Sequence, residues 1–126
     1  MKMARLSLKL KKSPRKGRFA VVSKDQRTMD GITFDSKGEM NRYAYLQHLL
    51  KVKQISNLAL QPSYSIEING KKICKYSADF TYYDEHLKRI IIEDVKSSGT
   101  AKDPYYRLRK KLAEAVHGIK VTEVMI

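Results

Sequence analysis

The chain has 126 residues, the size of one domain with a single hydrophobic core. Its 26 Lys and Arg residues against 13 Asp and Glu residues give a formal net charge of +13, which favours a polyanionic partner. Because no stretch resembles a membrane span or a signal peptide, and Cys74 is the single cysteine, the composition argues against a membrane protein, an intrachain disulfide and a cysteine-based zinc site. We therefore expect a cytoplasmic protein.

The first 18 residues are predicted to form a basic arm, followed by one domain over residues 19–126. The arm contains eight Lys and Arg residues and no acid, so it supplies 8 of the 13 net charges. It also contains Pro14 and Gly17 and few aromatic residues, so we predict a flexible segment that becomes ordered on DNA. Its candidate DNA-binding residues are Lys11, Lys12, Arg15, Lys16 and Arg18. The alternative is a solvated tail that only improves solubility.

The first helix is predicted over residues 36–52. Its apolar residues follow helical spacing at Tyr43, Leu46 and Leu50. Glu39 lies on the same inward stripe, and two interpretations of it remain open. In the first, Ser36 and Glu39 form a capping box, in which the glutamate satisfies backbone N–H groups at the helix start. In the second, the carboxylate points towards the sheet and belongs to a site. The local pattern alone favours the cap.

Three segments with the character of β-strands follow the first helix. They cover residues 58–68, 73–83 and 88–95. Asn69 and Gly70 predict a two-residue turn of the primed type between the first two strands. A looser turn around His86 joins the second strand to the third. The third segment opens with β-branched residues, which is typical of a strand that is buried on both faces.

The second helix is predicted to begin after the cap residue Asp103 and to end at Gly118. The predicted buried stripe of this helix consists of Leu108, Leu112 and Val116. Basic residues on its exposed surface, including Arg107 and Lys110, are expected to contact DNA phosphates without reading bases. A last strand is predicted over residues 121–126. The order helix, three strands, helix, strand predicts an α/β fold with a mixed central sheet of about four strands flanked by helices.

The third strand ends with an acid and a base, Asp94 and Lys96, two positions apart. Because strand side chains alternate, both project from one face, roughly 7 Å apart along the strand. A hairpin around His86 pairs residues whose numbers sum to 173, which places Asp79 opposite Asp94. Opposed residues share a face with their Cβ atoms about 5 Å apart. Two carboxylates at that distance repel each other strongly unless a cation lies between them.

A hard divalent ion such as Mg²⁺ would remove this repulsion by taking one oxygen from each aspartate. Lys96 would then orient an attacking water or offset charge that develops on a phosphate. Glu39, if it turns inward, would add a third carboxylate for a second ion or for activating that water. The competing interpretation is structural: Asp94 and Lys96 form an ion pair at the strand end, and Asp79 bonds to the neighbouring backbone.

The segments Ala78-Asp79-Phe80 and Glu93-Asp94-Val95-Lys96 together resemble the motif of the PD-(D/E)xK nuclease superfamily. The order of helices and strands matches the core of that superfamily. The chain is also similar to small phage-encoded proteins of the superfamily, which carry a similar segment at residues 31–36, an acid at Glu39 and a Leu60-Gln61-Pro62 segment. The resemblance covers residues 30–126.

The resemblance implies a Mg²⁺-dependent DNA endonuclease in which Mn²⁺ can substitute. Asp79 and Asp94 would be metal ligands, Lys96 the catalytic lysine, and Glu39 the acid that phage resolvases and some transposon nucleases of this superfamily place on the first helix. The implied substrate is branched or structured DNA, with a Holliday junction as the first candidate. Two cuts across a symmetric junction favour a homodimer. A phage origin would place the protein in the cytoplasm of a bacterial host.

Two neighbours of the predicted site require a choice. Alternation along the strand selects Asp94 over Glu93, because Asp94 shares a face with Lys96; a bulge would select Glu93 instead. A plain two-residue hairpin at Asn69–Gly70 would place Leu60 opposite Asp79. That register directs Gln61 to the other face, so Gln61 is not predicted to belong to the site.

Two other functions are compatible with the same residues. The first is a nuclease subunit of a transposition or DNA-packaging machine. The second is a DNA-binding module without catalysis, which keeps the fold while its carboxylates serve structure. We expect neither a membrane nor a small-molecule substrate for the nuclease or for either alternative.

Overall fold

The structure is a computed structural model that describes residues 22–126. The predicted basic arm lies outside the described residues, and so do its candidate DNA contacts Lys11, Lys12, Arg15, Lys16 and Arg18. The described part has the predicted α/β architecture, in which a mixed four-stranded sheet is flanked by helices.

The helices are α1 (Lys37–Lys51), α2 (Ser98–Ala101) and α3 (Pro104–His117), and a 3₁₀ turn (Lys24–Arg27) precedes them. The strands are β1 (Thr28–Met29), β2 (Ile32–Thr33), β3 (Ile55–Leu60), β4 (Ser63–Ile68), β5 (Lys71–Ser77), β6 (Phe80–Asp84), β7 (Arg89–Lys96) and β8 (Val121–Met125). Among residues 22–126, no helix is both long enough and apolar enough to cross a membrane.

The central sheet has the strand order β3-β6-β7-β8. Strand β6 runs antiparallel to β3 and β7, whereas β8 runs parallel to β7 after the crossover through α3. Helix α1 packs on one face, where Tyr43 and Leu46 meet Phe80 and Val95. Helix α3 and the β4–β5 hairpin cover the other face, and their core includes Ile92 of β7. Alternate residues of β7 therefore belong to different cores.

The first two predicted strands are each broken in the middle, and the breaks lie next to each other. Gln61 and Pro62 separate β3 from β4, and Ala78 and Asp79 separate β5 from β6. Gln61 has φ of +56°, and Pro62 lacks the N–H needed for regular pairing. The β4–β5 hairpin consequently leaves the central sheet and packs against α3. The predicted Asn69–Gly70 turn is confirmed at its tip, since both residues have positive φ as a type I′ turn requires.

Helix α1 begins and ends where it was predicted to. Ser36 is the N-cap, and its Oγ accepts a hydrogen bond of 3.1 Å from the Glu39 N–H. The predicted inward stripe is confirmed, because Tyr43 and Leu46 are buried and Leu50 packs against the same core. The helix thus presents Glu39, one turn before Tyr43, to the sheet.

The predicted caps of α3 are confirmed, but of its predicted buried stripe only Leu112 packs against the core. Asp103 accepts a hydrogen bond of 2.8 Å from the Tyr106 N–H, and Gly118 closes the helix with φ of +65°. Leu108 and Val116 are 55% and 43% exposed, whereas Tyr106 and Ala113 are buried. Tyr106 faces the sheet, where its hydroxyl donates 2.7 Å to Glu123 on β8.

Strand β7 is buried over only part of its length, which corrects the prediction of a strand buried throughout. Ile90 near its start is 69% exposed, whereas residues 92–95 are buried. The reason is that β8 pairs with β7 only from Ile92 onwards. After β7, the predicted loop contains the single turn α2, because Ser97 and Thr100 form a reciprocal capping box.

Candidate functional site

The pairing of β6 with β7 follows the predicted register. Phe80 lies opposite Glu93 and Asp84 lies opposite Arg89, so paired residue numbers sum to 173. The ladder ends at the Phe80–Glu93 pair, and Asp79, which directly precedes β6, departs from this register because its N–H donates to the Glu93 carbonyl. The site therefore forms where the regular pairing of two central strands ends.

Asp79 is held by backbone bonds to both neighbours of Asp94. Its N–H donates to the Glu93 carbonyl at 2.9 Å, and its Oδ2 accepts from the Val95 N–H at 2.7 Å. The carboxylate thereby takes the place of a carbonyl in the sheet ladder. This arrangement fixes Asp79 beside Asp94 and leaves Oδ1 as the oxygen that is not bonded to the β7 backbone.

Asp94 and Lys96 share a face, as strand alternation predicts. The Lys96 Nζ lies 2.7 Å from Asp94 Oδ1, and it also lies 4.6 Å from the centre of the Tyr106 ring. Asp94 Oδ2 accepts a hydrogen bond of 2.5 Å from the Tyr76 hydroxyl. Within residues 22–126, Oδ1 is buried without a hydrogen-bond donor, because the lysine approaches it as an ion pair without the alignment of a hydrogen bond.

Glu93 lies on the opposite face of β7 and is fully engaged there. Arg42 of α1 binds it in a bidentate manner, with Nε 2.9 Å from Oε1 and Nη2 2.6 Å from Oε2. The Tyr82 hydroxyl also donates to Glu93. Because the carboxylate is 1% exposed and already has three donors, its geometry favours Asp94 over Glu93 as the acid of the site.

Glu39 and Asp79 line the same cavity, and their carboxyl groups interact there. Burial raises the pKa of Asp79 above its ordinary value, and the contact with Glu39 raises it further. Burial also raises the pKa of Glu39. Two buried carboxyl groups in contact share a proton when no cation is present. Glu39 therefore contributes its backbone N–H to the helix cap and directs its carboxyl group to Asp79.

Gln61 lies in the same place, contrary to the prediction that it points to the other face. Near the turn, Glu67 pairs with Lys72, but the next pair is Ile66 with Cys74, so Ile73 is an extra residue in β5. This bulge shifts the register by one.

As a result, the Gln61 N–H donates 2.9 Å to the Asp79 carbonyl. Together with Glu39 and Asp79, Gln61 lines a cavity of about 310 Å³. The available signal for Gln61 was the Leu60-Gln61-Pro62 segment of the resemblance, since a bulge of this kind has no clear signature in the sequence.

The two predicted DNA contacts of α3 have different surroundings. Arg107 is exposed, whereas Lys110 is partly buried and lies 3.9 Å from the Glu114 carboxylate on the next turn. Arg107 is therefore the more available of the two for a phosphate.

The donor set fits a hard divalent cation. Asp79 and Asp94 each have one oxygen bonded to a protein donor. The second oxygen of Asp94, Oδ1, is buried beside Lys96 without a hydrogen-bond donor, and the Asp79 carboxyl group lies close to Glu39. Among residues 22–126, no three His, Cys, Asp or Glu side chains form a ready metal cage. Mg²⁺ commonly binds through one or two carboxylates and completes its shell with water and substrate phosphate.

The raised carboxyl pKa values predict how the stability of the metal-free protein depends on pH. Because Asp79 and Glu39 keep a proton in the folded state that the unfolded chain releases, folding is favoured at low pH and is weakened as the pH rises. We expect the free energy of unfolding in EDTA to fall from about pH 4, the ordinary carboxyl range, into the neutral range.

Urea titrations across this pH range would measure the effect. Asp79→Asn should flatten the profile, because the amide carries no charge at any pH. A stability that is independent of pH in the wild-type protein, or the same profile in the variant, would contradict the shared proton.

Comparison with known proteins gives one match. Residues 22–124 match the family described as "Protein of unknown function (DUF1064)". No curated protein and no solved structure matches the chain. Since the match spans Glu39, Asp79, Asp94 and Lys96 and most of the sequence, the chain belongs to the DUF1064 family.

Proposed function

We propose that this protein is a Mg²⁺-dependent endonuclease that hydrolyses phosphodiester bonds in DNA. The main observation in support is the cluster of Asp79, Asp94 and Lys96 at the end of the central sheet. Asp79 bonds to both neighbours of Asp94, and Asp94 has a buried oxygen beside Lys96. Such a cluster of like charges next to an amine is costly in a purely structural role.

Each residue of the cluster has a role that its position suits. Asp79 and Asp94 would hold the cation, which when bound activates a water and offsets the charge of the phosphate. Lys96 would place its ammonium beside the reacting phosphate and stabilise the negative charge that develops there. Glu39, whose pKa is raised by burial, would be suited to accept a proton from the attacking water or to serve as a further ligand.

The proposed substrate is branched or structured DNA, with a four-way junction as the first candidate, and the proposed assembly is a homodimer. The net charge of +13 supports a nucleic acid as the partner. The choice of branched DNA rests on the resemblance to phage nucleases, and the dimer follows from the two cuts that a symmetric junction needs.

The test of this function is a cleavage assay with the full chain. Supercoiled plasmid, linear duplex and a synthetic four-way junction are incubated with Mg²⁺, with Mn²⁺ and with EDTA. We expect cutting with either metal and none with EDTA, and faster cutting of the junction than of the linear duplex. Binding without cutting under all metal conditions would instead support the non-catalytic DNA-binding module.

A second prediction concerns the DNA contact of α3. If Arg107 contacts a phosphate, Arg107→Ala should reduce the slope of log K against log salt concentration by about 0.9. The matched control is Arg89→Ala, because Arg89 is also exposed but lies at the far end of β7 from Lys96. Fluorescence anisotropy with labelled junction DNA would give both slopes. Equal slopes for the two variants would exclude Arg107 as a specific phosphate contact.

A further inference from the structure

Two buried tyrosines donate to the two adjacent carboxylates of β7, one on each face of the strand. Tyr76 donates to Asp94 at 2.5 Å, and Tyr82 donates to Glu93. The bond to Glu93 belongs to the Arg42 cluster on the α1 face and involves neither Asp79 nor Asp94. The bond to Asp94 occupies one oxygen of a proposed metal ligand, so it reduces the number of oxygens with which Asp94 can bind a cation.

The Tyr76 hydroxyl is held in place by its surroundings. Tyr76 is 2% exposed, and its ring packs against those of Tyr64 and Tyr106, each with its centre 6.4 Å away. Burial and the bond to Asp94 raise the pKa of the phenol, so it remains a proton donor. The β4–β5 hairpin thus delivers a fixed donor to Asp94 Oδ2.

The same pattern occurs at the second proposed ligand. Asp79 Oδ2 accepts the Val95 N–H at 2.7 Å, which leaves Oδ1 for other contacts. In each aspartate, one oxygen is therefore held by a protein donor, and the other oxygen is the candidate metal ligand.

Mg²⁺ and Ca²⁺ differ in what they require from carboxylates. Mg²⁺ prefers an octahedral shell that contains several waters and single oxygens from one or two carboxylates. Ca²⁺ takes more oxygen ligands, at longer distances, and often binds a carboxylate through both oxygens. A site in which each carboxylate has only one oxygen available suits Mg²⁺ better than Ca²⁺.

We propose that Tyr76 is a specificity-determining residue, which restricts Asp94 to one metal-facing oxygen and thereby selects Mg²⁺ over Ca²⁺. The inference rests on the proposed metal site. Its mechanism is local: the phenol stabilises Oδ2 in one orientation and competes with any cation for that oxygen. Removing the hydroxyl frees Oδ2, so that both oxygens of Asp94 can reach the same ion.

The experiment is isothermal titration of the full chain with Mg²⁺ alone and with Ca²⁺ alone, at one pH and one ionic strength. For the wild-type protein, we expect the Kd for Mg²⁺ to be no weaker than that for Ca²⁺. In Tyr76→Phe, the ratio of the two Kd values should shift towards Ca²⁺ by about tenfold, the size expected for one charge-assisted hydrogen bond.

Tyr82→Phe is the matched control. It removes the same kind of buried hydrogen bond from the neighbouring carboxylate on the other face of the strand. Both variants are expected to lose stability, which thermal unfolding of each would measure, but only Tyr76→Phe should change the ratio of the two Kd values. A merely structural role for Tyr76 would lower both affinities together and leave the ratio unchanged.

The outcomes separate this inference from the proposed function. An unchanged ratio in Tyr76→Phe overturns the inference, even if the wild-type protein cuts DNA. A shifted ratio in a protein that cuts no DNA supports the inference and overturns the nuclease. If Tyr76→Phe does not fold, the Kd values of the wild-type protein test the inference. Ca²⁺ binding more than about tenfold tighter than Mg²⁺, or no binding of either ion, overturns it.

Discussion

Asp94→Asn is expected to abolish Mg²⁺-dependent DNA cleavage, lowering the single-turnover rate by about 10³-fold or more. Asp94 is the centre of the proposed site, because Asp79 bonds to both of its neighbours and Lys96 lies 2.7 Å from its Oδ1. The amide keeps the size of the side chain, and its oxygen can still accept from Tyr76. It cannot supply the negative charge that holds a cation and balances the lysine.

Two further variants show whether the loss is chemical. Lys96→Ala should cut as poorly as Asp94→Asn while still binding Mg²⁺, since the amine is not a ligand. Glu93→Gln should retain cleavage within about tenfold, because Glu93 faces Arg42 on the other side of the strand. Cleavage that survives in Asp94→Asn but is lost in Glu93→Gln would show that Glu93 is the functional acid. Thermal unfolding of each variant would confirm that it is folded at the assay temperature.

Arg42→Ala is expected to lower the free energy of unfolding by about 3–5 kcal/mol, the largest stability effect we predict. Glu93 is 1% exposed, and Arg42 supplies two of its hydrogen bonds, at 2.9 and 2.6 Å. Removing the arginine leaves a buried carboxylate with Tyr82 as its remaining donor. Because the Arg42 side chain is 25% exposed, water can partly replace it, so the lower end of the range is expected. Urea unfolding at neutral pH measures the change.

The double variant Arg42→Met, Glu93→Gln serves as the control. It removes both charges and keeps the side-chain volumes similar, so most of the stability lost in Arg42→Ala should return. The interaction energy from the corresponding double-mutant cycle should exceed about 1 kcal/mol. A cost below about 1 kcal/mol for Arg42→Ala would mean that the ion pair is solvated and does not anchor α1 to the sheet.

The Arg42–Glu93 ion pair also affects the proposed site. Arg42 and Glu39 are three residues apart on α1, so they lie on neighbouring positions of one helix face. Arg42 bonds to Glu93 on β7, and Glu39 meets Asp79 next to the same strand. The ion pair on one face of β7 therefore helps to set the position of the Glu39 carboxyl group at the end of the sheet.

The elements that could be predicted correctly are those governed by local chemistry. The ends of α1 and α3 follow from Ser36, Asp103 and Gly118, because caps act within a few residues of the helix terminus. Alternation along a strand places Asp94 and Lys96 together. The turn around His86 sets the register of β6 and β7 up to the Phe80–Glu93 pair, which brings the next residue, Asp79, close to Asp94.

The features that could not be predicted depend on residues far apart in the chain. The bulge at Ile73 brings Gln61 to Asp79, and no local pattern separates it from a plain hairpin. Tyr106 is buried in place of Leu108, and its hydrogen-bond partner Glu123 lies on a strand that follows the helix.

The partners of the two acids of β7 depend on distant residues in the same way. Glu93 and Asp94 are adjacent in sequence, yet Arg42 of α1 engages the first and Tyr76 of the β4–β5 hairpin the second. Sequence periodicity assigns each side chain to a face of its own element. The side chain that it contacts on a neighbouring element depends on how the elements pack together. That packing involves all core residues together, so no local pattern predicts it.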